Sequence, residues 1–239
     1  MGKTNINKRF GTLTAGVAVA GLAITALTIG ANVVAQDSEM TFFITSAGPG
    51  KGGDLGGLEG ADAHCDALAS AAGSKLSGWK AYLSVNAMID RSGDSPKVIP
   101  GVDARDRIGS GPWQNAKGVV IANNVEELHS DANAINLANG LDENGMEVNG
   151  RGAKPNRHDI LTGSTPQGMY STAGGDTTCA GWTSSDEGSA IVGHHDRVGL
   201  SNDRHMVSWN SAHGSAGCSA DALPRTGGDG LFYCFYAGE

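Results

Sequence analysis

The chain has 239 residues, with 25 acidic against 17 basic side chains and a formal net charge of −8. Lys3, Lys8 and Arg9 lie in the first 35 residues, which hold no acid, so the remainder sets 14 bases against 25 acids. A surface of that sign repels phosphate backbones and sulfated polymers, which excludes nucleic acid as a partner and leaves sugars, proteins, cationic groups and divalent cations.

The N-terminus reads "MGKTNINKRF", then an apolar run rich in Ala, Val, Leu, Ile, Gly and Thr that closes on Val33-Val34-Ala35. Basic, apolar and small-residue regions in that order predict a secretory signal peptide over residues 1–35, cleaved near Ala35. The alternative is an uncleaved anchor, since the run is long enough to span a bilayer. No cysteine lies near the cleavage site, which argues against a lipoprotein anchor. The remaining 36–239 is one domain by length, secreted or extracytoplasmic (periplasm or cell surface), with no membrane association after cleavage.

Along that domain, "TFFITSA" from Thr41 is β-branched and aromatic and predicts a strand. The loop "GPGKGGDLGGLEG" follows. In it Gly48, Gly50 and Gly53 satisfy G-x-G-x-x-G, but the helix begins too late and no βαβ pattern follows, so no nucleotide site is expected. "LEGADAHCDALASAA" places Leu58, Ala61, Cys65, Leu68 and Ala72 on one helical face, with Glu59, Asp62 and Asp66 opposite. "WKAYLSV" from Trp79 predicts a second strand, and "NNVEELHS" a short helix. "ILTGS", "CAGWTS", "SAIVGHHDRVGL" and a final strand "LFYCFYA" make up the last third. An early helix, late strands, and Gly, Asn, Asp and Ser between short apolar runs predict a loop-rich α+β domain.

The four cysteines, Cys65, Cys179, Cys218 and Cys234, fall in the exported part and form no CxxC pair. They read as two disulfides with three pairings open, none of them a zinc cluster or a free nucleophile.

"GADAHC" at 60–65, "WKAYLS" at 79–84, "VDARDRIGSGPW" at 102–113, "LTGSTPQG" at 161–168, "CAGWTS" at 179–184 and "FYCF" at 232–235 stand in the order seen in endostatin-like domains. The chain resembles exported bacterial proteins labelled lectin, which share this endostatin-like, C-type-lectin-like fold. The resemblance spans roughly residues 40–239. It implies nested disulfides, Cys65–Cys234 and Cys179–Cys218, and carbohydrate as the leading ligand, with an extracellular protein as the alternative partner. Lectins of this fold bind sugar through calcium held by Glu-Pro-Asn and Trp-Asn-Asp triplets. Here the matching positions are Lys154-Pro155-Asn156 and Trp209-Asn210-Ser211, each without its carboxylate, which weakens a calcium site. The arginine clusters and N-terminal histidines of endostatin have no counterpart here, since the exported part begins "QDSEMTFF".

Candidate chemistry centres on "AIVGHHDRVGL". If extended, it puts Val192, His194, Asp196, Val198 and Leu200 on one face and His195, Arg197 and Gly199 on the other. His194 and Asp196 are then metal candidates that need a third ligand, with His158, Asp159, His205 and His213 available. The structural alternative has His194 as an internal hydrogen-bonder and Asp196 paired with Arg197 or Arg157. "NRHDILTGS" repeats the theme with His158-Asp159 beside Arg157. Gly-x-Ser-x-Gly and HExxH are both absent. The chain therefore reads as a non-enzymatic binding protein recognising its ligand through loops 150–216, with Asn156, His158, Asp159, His194, Asp196, Trp209 and Asn210 as the candidate ligand-binding set. No cofactor is firmly implied; calcium and zinc are the candidates. A metal-dependent hydrolase using His194 with Asp196 is the enzymatic alternative.

Overall fold

A computed structural model describes residues 39–238, Ser92 apart, so the predicted signal peptide lies outside the described residues. Strand β1 (Phe42–Ile44) leads into helix α1 (Gly57–Ala71), strand β2 (Trp79–Ala81) and a hairpin of β3 (Met88–Asp90) and β4 (Lys97–Ile99). A second hairpin, β5 (Trp113–Gln114) and β6 (Val120–Ala122), precedes the one-turn helix α2 (Val125–Leu128). Strand β7 (Asp159–Leu161), turn α3 (Cys179–Trp182), β8 (Ile191–His194), β9 (His213–Gly214) and the long β10 (Gly228–Tyr236) complete the order. The mixed, loop-rich α+β class agrees with the sequence reading. Among the described residues no helix is long and apolar enough to cross a membrane.

Strand β10 is the spine of the main sheet. Its second half pairs antiparallel with β1 and with β2, so that Cys234 lies opposite both Phe43 and Ala81. Its first half runs parallel to β7, and β8 and β9 add antiparallel beyond β7. Side-chain alternation splits the core in two. Phe43, Phe232 and Cys234 pack with Cys65, Trp79 and Trp182 on the α1 side. Phe42, Ile44, Tyr233 and Phe235 pack with Tyr82, Trp113 and Trp209 on the other. Each large apolar side chain so buried contributes about 1.5–3 kcal/mol.

Helix α1 buries Ala61, Cys65 and Ala69, with Leu58 and Leu68 partly covered; Ala72 is its C-cap and exposed. The acids opposite that stripe hold β2 in place. Asp66 accepts the N–H groups of Gly78 and Trp79, while Asp62 accepts that of Ala81 and forms a two-point pair with Arg107 at 2.8 Å.

The cysteines pair Cys65–Cys234 and Cys179–Cys218, the pairing the resemblance implied. "CAGWTS" forms a left-handed turn: Cys179, Ala180, Gly181 and Trp182 all have φ between 48° and 69°. A left-handed turn costs about 1–2 kcal/mol per non-glycine residue. It is held by the disulfide, by Asp176, whose carboxylate accepts from the Thr178 and Ala180 N–H groups, and by Trp182 Nε1 donating to the Ser84 carbonyl at 2.8 Å. The Gly-rich loop packs here too. A Cβ at Gly53 would lie 2.7 Å from Cys179 Sγ, so this glycine serves close approach to the disulfide rather than to a phosphate.

Candidate metal centre

Strands β7, β8 and β9 lie side by side, and their register sets the site. Asp159 on β7 stands opposite His194 on β8, and Val192 on β8 opposite His213 on β9. His158 immediately precedes β7, and its ring stacks on that of His194 with centroids 4.3 Å apart. Three imidazoles from three segments thus surround one carboxylate. His158 Nε2 is 3.1 Å, His194 Nε2 3.3 Å and His213 Nε2 3.6 Å from Asp159 Oδ1. The His194 and His213 Nε2 atoms are 3.0 Å apart. Asp159, His158 and His194 are buried; the His213 side chain is 27% exposed.

Hydrogen bonds on the far side of each ring define its protonation. His194 Nδ1 is 2.6 Å from the Met206 carbonyl and His213 Nδ1 is 3.0 Å from the Gly214 carbonyl. A carbonyl only accepts, so both Nδ1 atoms carry hydrogen. His158 Nδ1 faces Asp196 Oδ1 at 3.4 Å. Burial raises the Asp196 pKa, but hydrogen bonds from His158 and from the Arg151 and Val198 N–H groups outweigh it and hold the group at about 2. Asp196 is therefore ionised and also only accepts. With hydrogen on Nδ1 of all three rings, each Nε2 is directed toward the Asp159 carboxylate and is free to act as a metal donor wherever it carries no proton. Asp159 adds a fourth acceptor, and neither of its buried oxygens receives a hydrogen bond.

Four converging acceptors without a donor are costly in a buried site. A proton on one Nε2 relieves part of the repulsion, and the His194 pKa is indeed raised: burial lowers it, but the Asp159 carboxylate and the Met206 carbonyl more than compensate. A divalent cation relieves all four at once. Zinc bonds of about 2.0–2.1 Å, directed tetrahedrally, place neighbouring ligand atoms ~3.3 Å apart. Four of the six separations among these atoms run from 3.0 to 3.6 Å, and His158, Asp159 and His194 offer one ligand atom each within 4.8 Å of one another, with His213 beside His194 and Asp159. Imidazole-rich donors suit zinc, copper, iron or nickel, whereas calcium takes six to eight oxygens.

The sequence-derived candidates divide into three groups. His158, Asp159, His194 and His213 come together. Asp196 does not stand beside His194 on an extended face: β8 ends at His194, residues 195–196 turn, and Arg197 has φ 58°. Val198 and Leu200 are accordingly exposed. Asp196 pairs with neither proposed arginine. Arg157 meets Asp229 at 2.8 Å, Arg197 donates to the Ile135 and Val207 carbonyls and to Asn133, and Asp196 orients His158 instead. His195 is buried apart from the cluster, its Nε2 3.4 Å from the Asn149 carbonyl, and burial pushes its pKa down to about 4.

Asn156 lines the pocket over the cluster and accepts the His158 N–H. Trp209 and Asn210 lie elsewhere. Trp209 packs between Tyr82 and Tyr233 in the core. The Asn210 amide donates to Tyr82 Oη and to the Thr165 and Pro166 carbonyls, and its oxygen accepts from Ser208. These bonds commit both ends of Asn210 to the scaffold. His205 is exposed and stands in a different groove from His158 and His194.

Several participants went unflagged in the sequence: the Met206 carbonyl, Arg151, Arg225 and Gly227. Gly227 has φ 113°, and a Cβ there would lie 2.7 Å from His158 Cδ2, so its lack of a side chain makes room for the ring. No family model and no curated protein matches the chain.

Proposed function

We propose that the chain is an exported binding protein of endostatin-like, C-type-lectin-like architecture whose functional centre is a divalent transition-metal site of the zinc type, formed by His158, Asp159, His194 and His213. The carrying observation is the convergence of three imidazole Nε2 atoms on the undonated Asp159 carboxylate, each ring fixed by an acceptor at Nδ1. Asp196, Met206 and Gly214 act as the outer partners that orient metal-binding histidines. Two disulfides suit an oxidising compartment, where cysteine ligands are unavailable and histidine and carboxylate take their place.

This reading shifts recognition away from the Lys154-Pro155-Asn156 and Trp209-Asn210-Ser211 positions and onto the pocket above the histidines. The test is elemental analysis of the protein purified without added metal or chelator, followed by zinc titration of the stripped protein. One tightly bound equivalent, lost in Asp159→Asn and retained in His205→Ala, supports the site. Stripped protein that takes up no zinc, copper, nickel or iron overturns it.

A further inference from the structure

His158, His194 and His213 line a pocket of about 470 Å³ that opens to solvent. The same lining includes the exposed Arg151 and Arg225 and no carboxylate. On a chain with eight more acids than bases, that lining reverses the overall sign. The two arginines also differ from most others in the molecule. Arg105, Arg107, Arg157 and Arg204 each approach a carboxylate within 4.0 Å, whereas neither Arg151 nor Arg225 forms an ion pair among the described residues. Arg225 also borders the groove that holds Asp186 and Glu187, yet pairs with neither.

Their backbones are nevertheless fixed. The Arg151 N–H donates to Asp196 Oδ2, the same carboxylate that orients His158, so one side chain positions both an imidazole and an arginine. Arg225 ends the 3-10 turn Leu223–Arg225, and its N–H donates to the Ala222 carbonyl two residues before the Gly227 that abuts His158.

We infer that this pocket takes a small oxyanion, a carboxylate or phosphate group, held between the metal ion and the guanidinium groups of Arg151 and Arg225. Guanidinium donors match the paired oxygens of such groups, and a divalent ion held by the histidines adds charge of the same sign. The exposed Leu200 and half-buried Met206 on the wall provide apolar contact for an organic acid that inorganic phosphate does not use. The inference rests on the metal reading, and the experiment separates the two.

Stripped protein is loaded with cobalt(II), whose visible absorption reports its ligands where zinc is silent, and is titrated with acetate, butyrate, inorganic phosphate and, as a cationic control, methylammonium. The expected result is a saturable spectral change with the anions and none with methylammonium. Arg151→Ala/Arg225→Ala should load cobalt as the parent does but bind the anions at least about tenfold more weakly, equivalent to about 1.4 kcal/mol. Butyrate binding tighter than acetate identifies an organic acid as the source; phosphate binding tighter than both identifies a phosphate. Cobalt that loads with a spectrum no anion perturbs, or anion binding unchanged in the double variant, overturns this inference and leaves the metal site standing. Failure of the stripped protein to load cobalt, zinc, copper, nickel or iron overturns both.

Discussion

His194 Nε2 and His213 Nε2 lie 3.0 Å apart although 19 residues separate them, and both also face Asp159 Oδ1. Each ring is turned into that position by a carbonyl behind it, Met206 for His194 and Gly214 for His213. Two imidazole nitrogens at that distance, both facing a carboxylate, need a cation between them, either a proton on one ring or a metal ion shared by both.

Ligands and outer partners should differ in their effect on affinity. Asp159→Asn or His194→Ala removes a donor and should abolish stoichiometric zinc uptake. Asp196→Asn removes the charge of the acceptor behind His158, which also holds the Arg151 and Val198 N–H groups, and should weaken zinc by about 10–100-fold. Competition titration against a chromophoric chelator measures both; equal affinities in Asp196→Asn and the parent would show that Asp196 does not orient the ring.

Metal should also stabilise the fold, because the four donors converge only in the native state. A free zinc concentration 1,000 times the dissociation constant adds about 4 kcal/mol. Thermal melts with zinc and with chelator should differ accordingly in the parent, and should coincide in His194→Ala.

Gly227→Ala forces a Cβ against the His158 ring at a backbone φ of 113°. Strain and displacement together should cost about 1–3 kcal/mol of stability and weaken metal binding. Urea unfolding of the stripped variant isolates the first effect, and zinc titration gives the second. A variant as stable as the parent would show that the ring yields freely.

Removing Cys179–Cys218 by double alanine substitution opens a loop with sequence separation 39, and loop-closure entropy predicts a loss of about 4 kcal/mol. His194 and His213 both lie inside that loop, so zinc affinity should fall with it. Removing Cys65–Cys234, separation 169, should cost about 5 kcal/mol, read by the same urea unfolding.

Away from the metal, His129 gives a pH dependence of defined sign. Its Nδ1 donates to the Val125 carbonyl at 2.7 Å and its Nε2 accepts from Tyr82 Oη at 2.7 Å, and burial lowers its pKa below the ordinary value. The unfolded chain takes this proton near pH ~6.5 and the folded chain only at lower pH. Between those values the unfolded state binds more protons, so stability falls as the pH drops through the window and is unaffected above it. With chelator present, His129→Gln should flatten the melting temperature between pH 7 and pH 5 relative to the parent. An unchanged slope would assign the dependence to other groups.

Local pattern carried most of the framework. The β-branched and aromatic run of β1, the final strand in "LFYCFYA", the helical spacing of Ala61 and Cys65 and the short helix in "NNVEELHS" are properties of neighbouring residues, so they are legible along the chain. The cysteine pairing was open on spacing alone, and only the order of motifs selected it. Extending the β8 alternation to Leu200 failed because the chain turns at His195 and Asp196, where hydrogen bonds from Arg151 and Val198 to Asp196 outweigh continued strand pairing.

For the site, composition and residue type marked His158, Asp159, His194 and His213 as able to bind a metal, and nothing in their spacing could bring them together. Convergence depends on the register of β7, β8 and β9, since a slip of one residue turns a strand's side chains to the opposite face. The sequence therefore determined an acidic, disulfide-paired α+β domain with histidine–aspartate pairs in its last third. Tertiary structure alone decided that Asp159 rather than Asp196 faces the imidazoles, because strand pairing, a non-local interaction, fixes which carboxylate lies within reach of all three rings.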